Sequence, residues 1–338
     1  MDWFERLTGF PETSYEATRA QLEVSDGRLR SRANGRSYGI GRLELISLDT
    51  LRAQTRDVAV PGRLTLGIAQ GDVRRMHADP RNAEALFQVA SQFNLLEMIG
   101  LEVTPEAGVG RYEADPTQGP ACAVAAGAGT IWRNYFVPVD GQPGQTRDRQ
   151  LDALADLGAA LAQGLGRPGE RLWQMRNGYA LPSHESLGQI DSHLRSLTEA
   201  ARDALRGRLR VGWHRDVEVT DGALPGQTVS QIYCSALPIA YGAGPASAWA
   251  AFAQLVLEAA YEATLRAGLV TAAAGGSNRV LLTRLGGGAF GNDDAWIDAA
   301  ILRALALVRD QGLAVEIVSY RAPSPSLRAL VAAFDGAA

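Results

Sequence analysis

Between an apolar run, Val280-Leu281-Leu282-Thr283, and an apolar-periodic stretch that begins at Asp294 lies the segment Gly286-Gly287-Gly288-Ala289-Phe290-Gly291-Asn292. A strand that runs through glycines into a helix aims unpaired backbone N–H groups and the positive end of the helix dipole at one point, which suits a phosphate. No Gly-Lys-Ser/Thr follows, so the loop is not a Walker A motif, and its spacing is not that of the dinucleotide fingerprint. A tight structural turn would use the same residues. Carboxylates crowd the far side: Asp293 and Asp294 follow at once, and Asp298 comes one helical turn after Asp294. Acids there either cap free helix N–H groups or do acid–base work, and the residues alone leave both readings open.

A second polar cluster runs from Gly108 to Pro120 and includes Gly110, Glu113, Asp115 and Gln118, ahead of a small-residue stretch, Ala121 to Thr130. It has the makings of a second phosphate loop, although Asp115 before Pro116 and Gln118 also suit a turn. Gly71-Asp72-Val73 closes one apolar strand, Asn94 follows another, and Tyr320 ends the last. A buried amide at a strand end often only satisfies backbone groups, and a terminal tyrosine serves the core as readily as a ligand. Trp132-Arg133-Asn134-Tyr135 and Arg176-Asn177-Gly178-Tyr179 are dense polar-aromatic patches. They suit either an acceptor pocket or packing of one region on another. His77, His184, His193 and His214 lack ligand spacing, Cys122 and Cys234 have no partners, and no metal is predicted. All 33 basic residues are Arg, which excludes Schiff-base and P-loop lysines. No Gly-x-Ser-x-Gly elbow is present.

The elements that must position these groups alternate. Leu64 to Ala69, Asn82 to Val89, Val229 to Cys234, Val280 to Thr283 and Ala314 to Tyr320 read as strands. Ala121 to Tyr135, Ala248 to Ala267 and Asp294 to Asp310 read as helices between them. That alternation marks an α/β layer fold. Arg149 to Leu165 and Leu187 to Leu209 have helical periodicity without intervening strands, so a helical insertion is expected at about residues 140–225. Residues 1–60, polar and irregular with hairpin signals at Asn34-Gly35 and Gly39, are expected to form an N-terminal cap on a core spanning 61–330. The 338-residue chain is 46% hydrophobic with net charge −4, enough for a substantial core and unsuited to nucleic acid or an anionic membrane as partner. Two isolated cysteines and no signal-like or membrane-length apolar run make a cytoplasmic location the expectation.

The order of these segments resembles that of macrodomains. The Gly286–Asn292 loop looks like their second phosphate loop, in which glycine amides hold a diphosphate and the aromatic residue, here Phe290, packs on the distal ribose. Gly71-Asp72-Val73 resembles the Gly-Asp-Ile whose acid accepts a hydrogen bond from adenine. Asn94 falls on the asparagine that contacts the distal ribose, Gly110 and Gln118 on the first phosphate loop, and Tyr320 beside adenine. The resemblance covers about residues 64–135 and 228–325 and departs from the family where Ser91-Gln92-Phe93-Asn94 replaces the usual small-residue run. It implies a three-layer α/β/α macrodomain-like mixed sheet that binds ADP-ribose. Poly(ADP-ribose) glycohydrolases carry a Gln-Glu-Glu after their triple glycine, and this chain has none. Arginine-specific macrodomain hydrolases are therefore the nearer match. The implied activity is removal of mono-ADP-ribose from a protein side chain, with no cofactor and with Asp293, Asp294, Asp298 and Asp115 as candidate catalytic acids. An inactive ADP-ribose reader and a hydrolase of a free ADP-ribose derivative remain as alternatives.

Overall fold

The computed structural model describes residues 1–336. Two short helices open the chain, α1 (Trp3–Thr8) and α2 (Tyr15–Ala20), each started by a side-chain cap, Asp2 and Ser14. An antiparallel meander follows, β1 (Leu22–Ser25), β2 (Arg28–Ser31) and β3 (Ser37–Gly39). The remaining elements are β4 (Arg42–Ser47), α3 (Leu48–Gln54), β5 (Thr65–Gln70), α4 (Val73–Ala78), β6 (Leu86–Ala90), α5 (Gln118–Ala125) and α6 (Gly127–Tyr135). After these come β7 (Pro138–Val139), β8 (Gln142–Pro143), α7 (Ala155–Gly164), β9 (Trp173–Arg176), β10 (Tyr179–Pro182), α8 (His184–Ser196), α9 (Glu199–Gly207) and β11 (Arg210–Glu218). The last are β12 (Thr228–Cys234), α10 (Ala246–Ala273), β13 (Arg279–Leu282), α11 (Asp294–Leu307), β14 (Ala314–Ser319) and α12 (Pro325–Gly336).

Seven strands form one mixed sheet in the order β4-β11-β12-β6-β13-β14-β5. The run from β12 to β5 is parallel, whereas β11 is antiparallel to both β12 and β4. Parallel strands buried on both faces need apolar side chains throughout, and β12 and β13 are buried along nearly their whole length. Helix α10 packs with α3, α8, α9 and α11 over one face, and α4, α5 and α6 pack over the other, giving the three-layer α/β/α arrangement with a mixed sheet. The 28-residue α10 is buried on most sides because it lies between the sheet and other helices. Among the described residues, no helix is long and apolar enough to cross a membrane.

Several elements differ from the sequence expectation. Residues 42–54, placed in the N-terminal cap, supply β4 and α3 to the core. Strand β11, inside the expected helical insertion, pairs with β12, and its outer backbone edge needs the partner that β4 provides. The periodic stretch from Leu187 to Leu209 is two helices, separated where Thr198 caps α9. The stretch from Ala121 to Tyr135 also breaks, at Ala126.

Candidate functional site

Ligands of open parallel sheets bind beyond the carboxyl ends of the strands, where backbone groups and following helix N-termini are free. Along that edge, β5 delivers Gly71 and Asp72, β14 delivers Tyr320, β13 delivers the Gly286–Asn292 loop, and β6 delivers Ser91 to Asn94. The loop after β13 is built by two left-handed glycines, Gly286 at φ 73° and Gly291 at φ 71°. A Cβ on Gly286 would come within 2.5 Å of Ala236. Asn292 staples the turn: its amide donates to the Gly286 carbonyl at 2.9 Å and its Nδ2 to the Leu237 carbonyl at 2.8 Å. Its Oδ1 is buried without a partner. Gly287, Gly288 and Ala289 are exposed to solvent; the Gly287 amide donates to the Arg284 carbonyl at 3.4 Å, which leaves the Gly288 and Ala289 amides for an anion. Phe290 is half-buried against Tyr179 and Tyr241, at ring-centroid distances of 5.3 and 5.9 Å.

The acids after the loop are already engaged. Asp293 is the N-cap of α11 and accepts from the Ala295 amide at 2.7 Å. Asp294 accepts from Arg284 Nη2 at 2.7 Å, and Asp298 accepts from Nη1 of the same guanidinium. Arg284, at the end of β13, therefore orients two carboxylates on consecutive turns of α11.

The first loop is organised differently from its sequence reading. Glu12, from the N-terminal region, accepts from the amides of Val109 at 2.9 Å and Gly110 at 2.6 Å, and from the Tyr135 hydroxyl at 2.7 Å. Gly110, expected to present its amide to a ligand, gives it to Glu12 instead. The left-handed Gly108 makes room for this, since a Cβ there would strike the Glu12 carboxyl. Burial pushes the Glu12 carboxyl up, against the opposing pull of those three donors. Glu113 turns to the N-terminal helix, accepting from the Trp3 amide at 2.8 Å and from Arg6 at 2.5 Å.

Gln118 clamps the start of α5 to β6. Its Oε1 accepts from the Ala90 amide at 2.9 Å and its Nε2 donates to the Gln88 carbonyl at 2.8 Å. Asp115 accepts from the Thr117 amide at 2.9 Å. Burial raises the pKa of the Tyr179 phenol, and the groups of Tyr241 and Asp115 add to that rise. Asp72 accepts from the Arg74 amide at 2.9 Å as the cap of α4, and Val73 is core. Tyr320 is 71% exposed. Asn94 is fully buried: its Nδ2 donates to Gln150 at 2.8 Å and its Oδ1 accepts from the Leu96 amide at 3.1 Å.

Beneath the first loop lies a buried polar chain that the sequence reading missed. Glu97 is 2% exposed and sits 3.4 Å from the Arg133 guanidinium, which also donates to the Leu95 carbonyl at 2.6 Å and lies 3.8 Å above the Tyr233 ring. Burial pushes the Glu97 carboxyl up to about 8, outweighing Arg133, and one of its oxygens has no partner. Tyr233 donates to Gln231, whose Nε2 faces His77 Nε2 at 3.1 Å. Burial holds His77 down to about 4 and His214 to about 3, so both rings are neutral. The one signal available in the sequence was a lone acid inside the apolar run Leu95-Leu96-Glu97-Met98, opposite the Arg133 patch. Among the described residues, no group of three His, Cys, Asp or Glu side chains is arranged to hold a metal.

No family model and no curated protein matches the chain. Among solved structures it is similar to poly(ADP-ribose) glycohydrolase from Thermomonospora curvata bound to the inhibitor ADP-HPD. That match has 14% identity over 92% of this chain and 94% of that chain, with a TM-score of 0.39. It is also similar to poly(ADP-ribose) glycohydrolase from Deinococcus radiodurans in complex with ADP-ribose. There the identity is 15% over 87% of this chain and 92% of that one, with a TM-score of 0.38. At that identity and TM-score neither likeness transfers a residue role or an activity.

Proposed function

We propose that the chain is an ADP-ribosyl hydrolase that releases mono-ADP-ribose from a protein side chain, with arginine the acceptor implied by the sequence resemblance. The observation that carries the reading is the order of groups along one sheet edge. Asp72, Tyr320, the open Gly287–Ala289 backbone and the acids of α11 follow one another over β5, β14 and β13, with β6 next. Two inter-strand spacings amount to about 10 Å, the scale of an extended ligand with a base at one end and a sugar at the other. The exposed amides and the α11 N-terminus would take the diphosphate, Asp72 the adenine amino group, and Phe290 the distal ribose.

Hydrolysis at an anomeric carbon needs a carboxylate beside that carbon and water as the only co-reactant. Water adds to the carbon, the bond to the acceptor nitrogen breaks with its electron pair leaving on nitrogen, and the proton of the attacking water passes to the carboxylate. Asp294, oriented by Arg284 and exposed at the loop, is the acid this reading assigns to that step. Asp298 steadies Arg284 from the next turn, and Asp115 is the candidate acid of the first loop. The partner is an ADP-ribosylated protein.

One observation favours the reader alternative: Asp293 is spent as a cap, and Asp294 and Asp298 are both paired with Arg284. Arginine-, serine- and glutamate-linked ADP-ribosyl peptides, assayed for released ADP-ribose alongside calorimetry with free ADP-ribose, separate the two. Release from the arginine-linked peptide, reduced about 100-fold or more by Asp294→Asn, is the expected result. Binding without release from any linkage makes the chain a reader, and absence of ADP-ribose binding removes the proposal.

A further inference from the structure

A cavity lined mainly by residues of the insertion lies beside the loop that holds Glu102 and Thr104. It measures about 820 Å3, within the range of small-molecule sites. Its walls are the turn and loop at 147–152 and strand β9, and its floor is the first turns of α7. The floor is open because its residues are small: Ala155, Gly158 and Ala159. A Cβ on Gly158 would come within 2.9 Å of the Trp173 indole, so that glycine lets the half-exposed ring lie in the wall.

The charges around this space are not balanced by pairing. Among the described residues, Arg147, Arg149 and Arg171 make no ion pair and no side-chain hydrogen bond. Two of the neighbouring acids are ion-paired, Glu102 with Arg176 and Glu170 with Arg167. Asp140, Asp148 and Asp152 make no ion pair among the described residues, and Asp152 accepts from the Leu154 amide at 2.8 Å and feels the charge of Arg171. The Trp173 ring packs on Phe252 at a centroid distance of 5.4 Å and is half-buried, so part of it remains in the lining. Guanidiniums without a salt bridge together with an aromatic ring in one lining are the chemistry that takes a diphosphate and a planar base.

We propose that this cavity is a second ligand site, separate from the Gly286–Asn292 loop, for a nucleoside diphosphate, with the phosphates on Arg147, Arg149 and Arg171 and the base against Trp173. Its wall reaches the segment after β6 through three amides: Asn177 Oδ1 accepts from Gln150 at 3.0 Å, and Gln150 Oε1 accepts from Asn94 at 2.8 Å. An occupant of the cavity touches the residues that fix Asn94.

Calorimetry with ADP, paired with tryptophan fluorescence, tests the site on the full chain. The exposed pair Arg149→Glu/Arg171→Glu should weaken ADP binding at the cavity by about tenfold or more, while Gly288→Val, at a position where a Cβ meets nothing within 4 Å, blocks the loop. ADP binding that survives in G288V, quenches fluorescence in a way abolished by Trp173→Phe, and is lost in R149E/R171E supports the site. Binding in G288V that R149E/R171E leaves unchanged, or no ADP binding in G288V at all, overturns it. Neither overturning result touches the loop reading, which rests on ADP-ribose binding that G288V removes and R149E/R171E does not.

Discussion

An aspartate in the first turn of a helix can cap, pair or react, and what decides is which donors reach it. Asp293 meets only a backbone amide, whereas Asp294 and Asp298 meet the same guanidinium. A guanidinium fixes the direction of a carboxylate, which suits a group that must orient water. Glu97 is the opposite case, a carboxyl in a dry site whose single cationic neighbour does not offset burial. Its folded pKa of about 8 lies above the ordinary glutamate value of 4.5, so its contribution to stability is fully present below 4.5 and is lost as pH rises toward 8. His77 and His214 act with the other sign, since neutral burial costs stability at pH values below their unfolded pKa of 6.5. Between pH 6.5 and 8 only the Glu97 effect remains among these three groups. Thermal melts of the wild type should therefore fall across that interval, while Glu97→Gln should be flat. Equal slopes for the two would show that Glu97 ionises freely.

At the scale of elements, the site depends on how closely α5 approaches β6. Gly119, in the first turn of α5, sits so near the strand that a Cβ would lie 1.9 Å from the Ala90 carbonyl oxygen. Because that contact is backbone, no side chain can rotate away. Gly119→Ala should cost about 3 kcal/mol in urea denaturation. Gly288→Ala, whose Cβ meets nothing within 4 Å, should leave the midpoint unchanged. A small effect at Gly119 would mean that α5 is not seated as described. The parallel strands of the core were legible because each is a short apolar run between turn residues. Strand β11 was not: Arg210, His214, Arg215 and Asp216 interrupt its apolar pattern, and two amphipathic helices precede it. Within the site, the local signals survived, namely the glycines of the second loop and the acids behind it. Contacts made across long separations did not, since nothing near Gly110 points to Glu12, 98 residues earlier.

For the whole molecule, the N-terminal region is a structural member of the first loop rather than an appendage. Trp3, Phe4 and Leu7 share a hydrophobic cluster with Val109, Tyr112 and Ile131, so α1 and the α5–α6 layer bury each other. Glu12 adds the polar half of the same joint by filling the backbone nest of Val109 and Gly110, and Tyr15 donates to the Asn134 carbonyl at 3.0 Å. Removing the carboxylate leaves two amides and one phenol buried without an acceptor, and an unmet buried donor costs more than the bond it made. Glu12→Ala should lower global stability by about 2 kcal/mol, and amide exchange should accelerate first at residues 108–112 and in α1. Glu12→Gln, which keeps the shape and one acceptor, should recover part of the loss. Exchange that quickens in α1 while 108–112 stays protected would show that the nest holds its shape without Glu12, and that the N-terminal region docks through its apolar contacts alone.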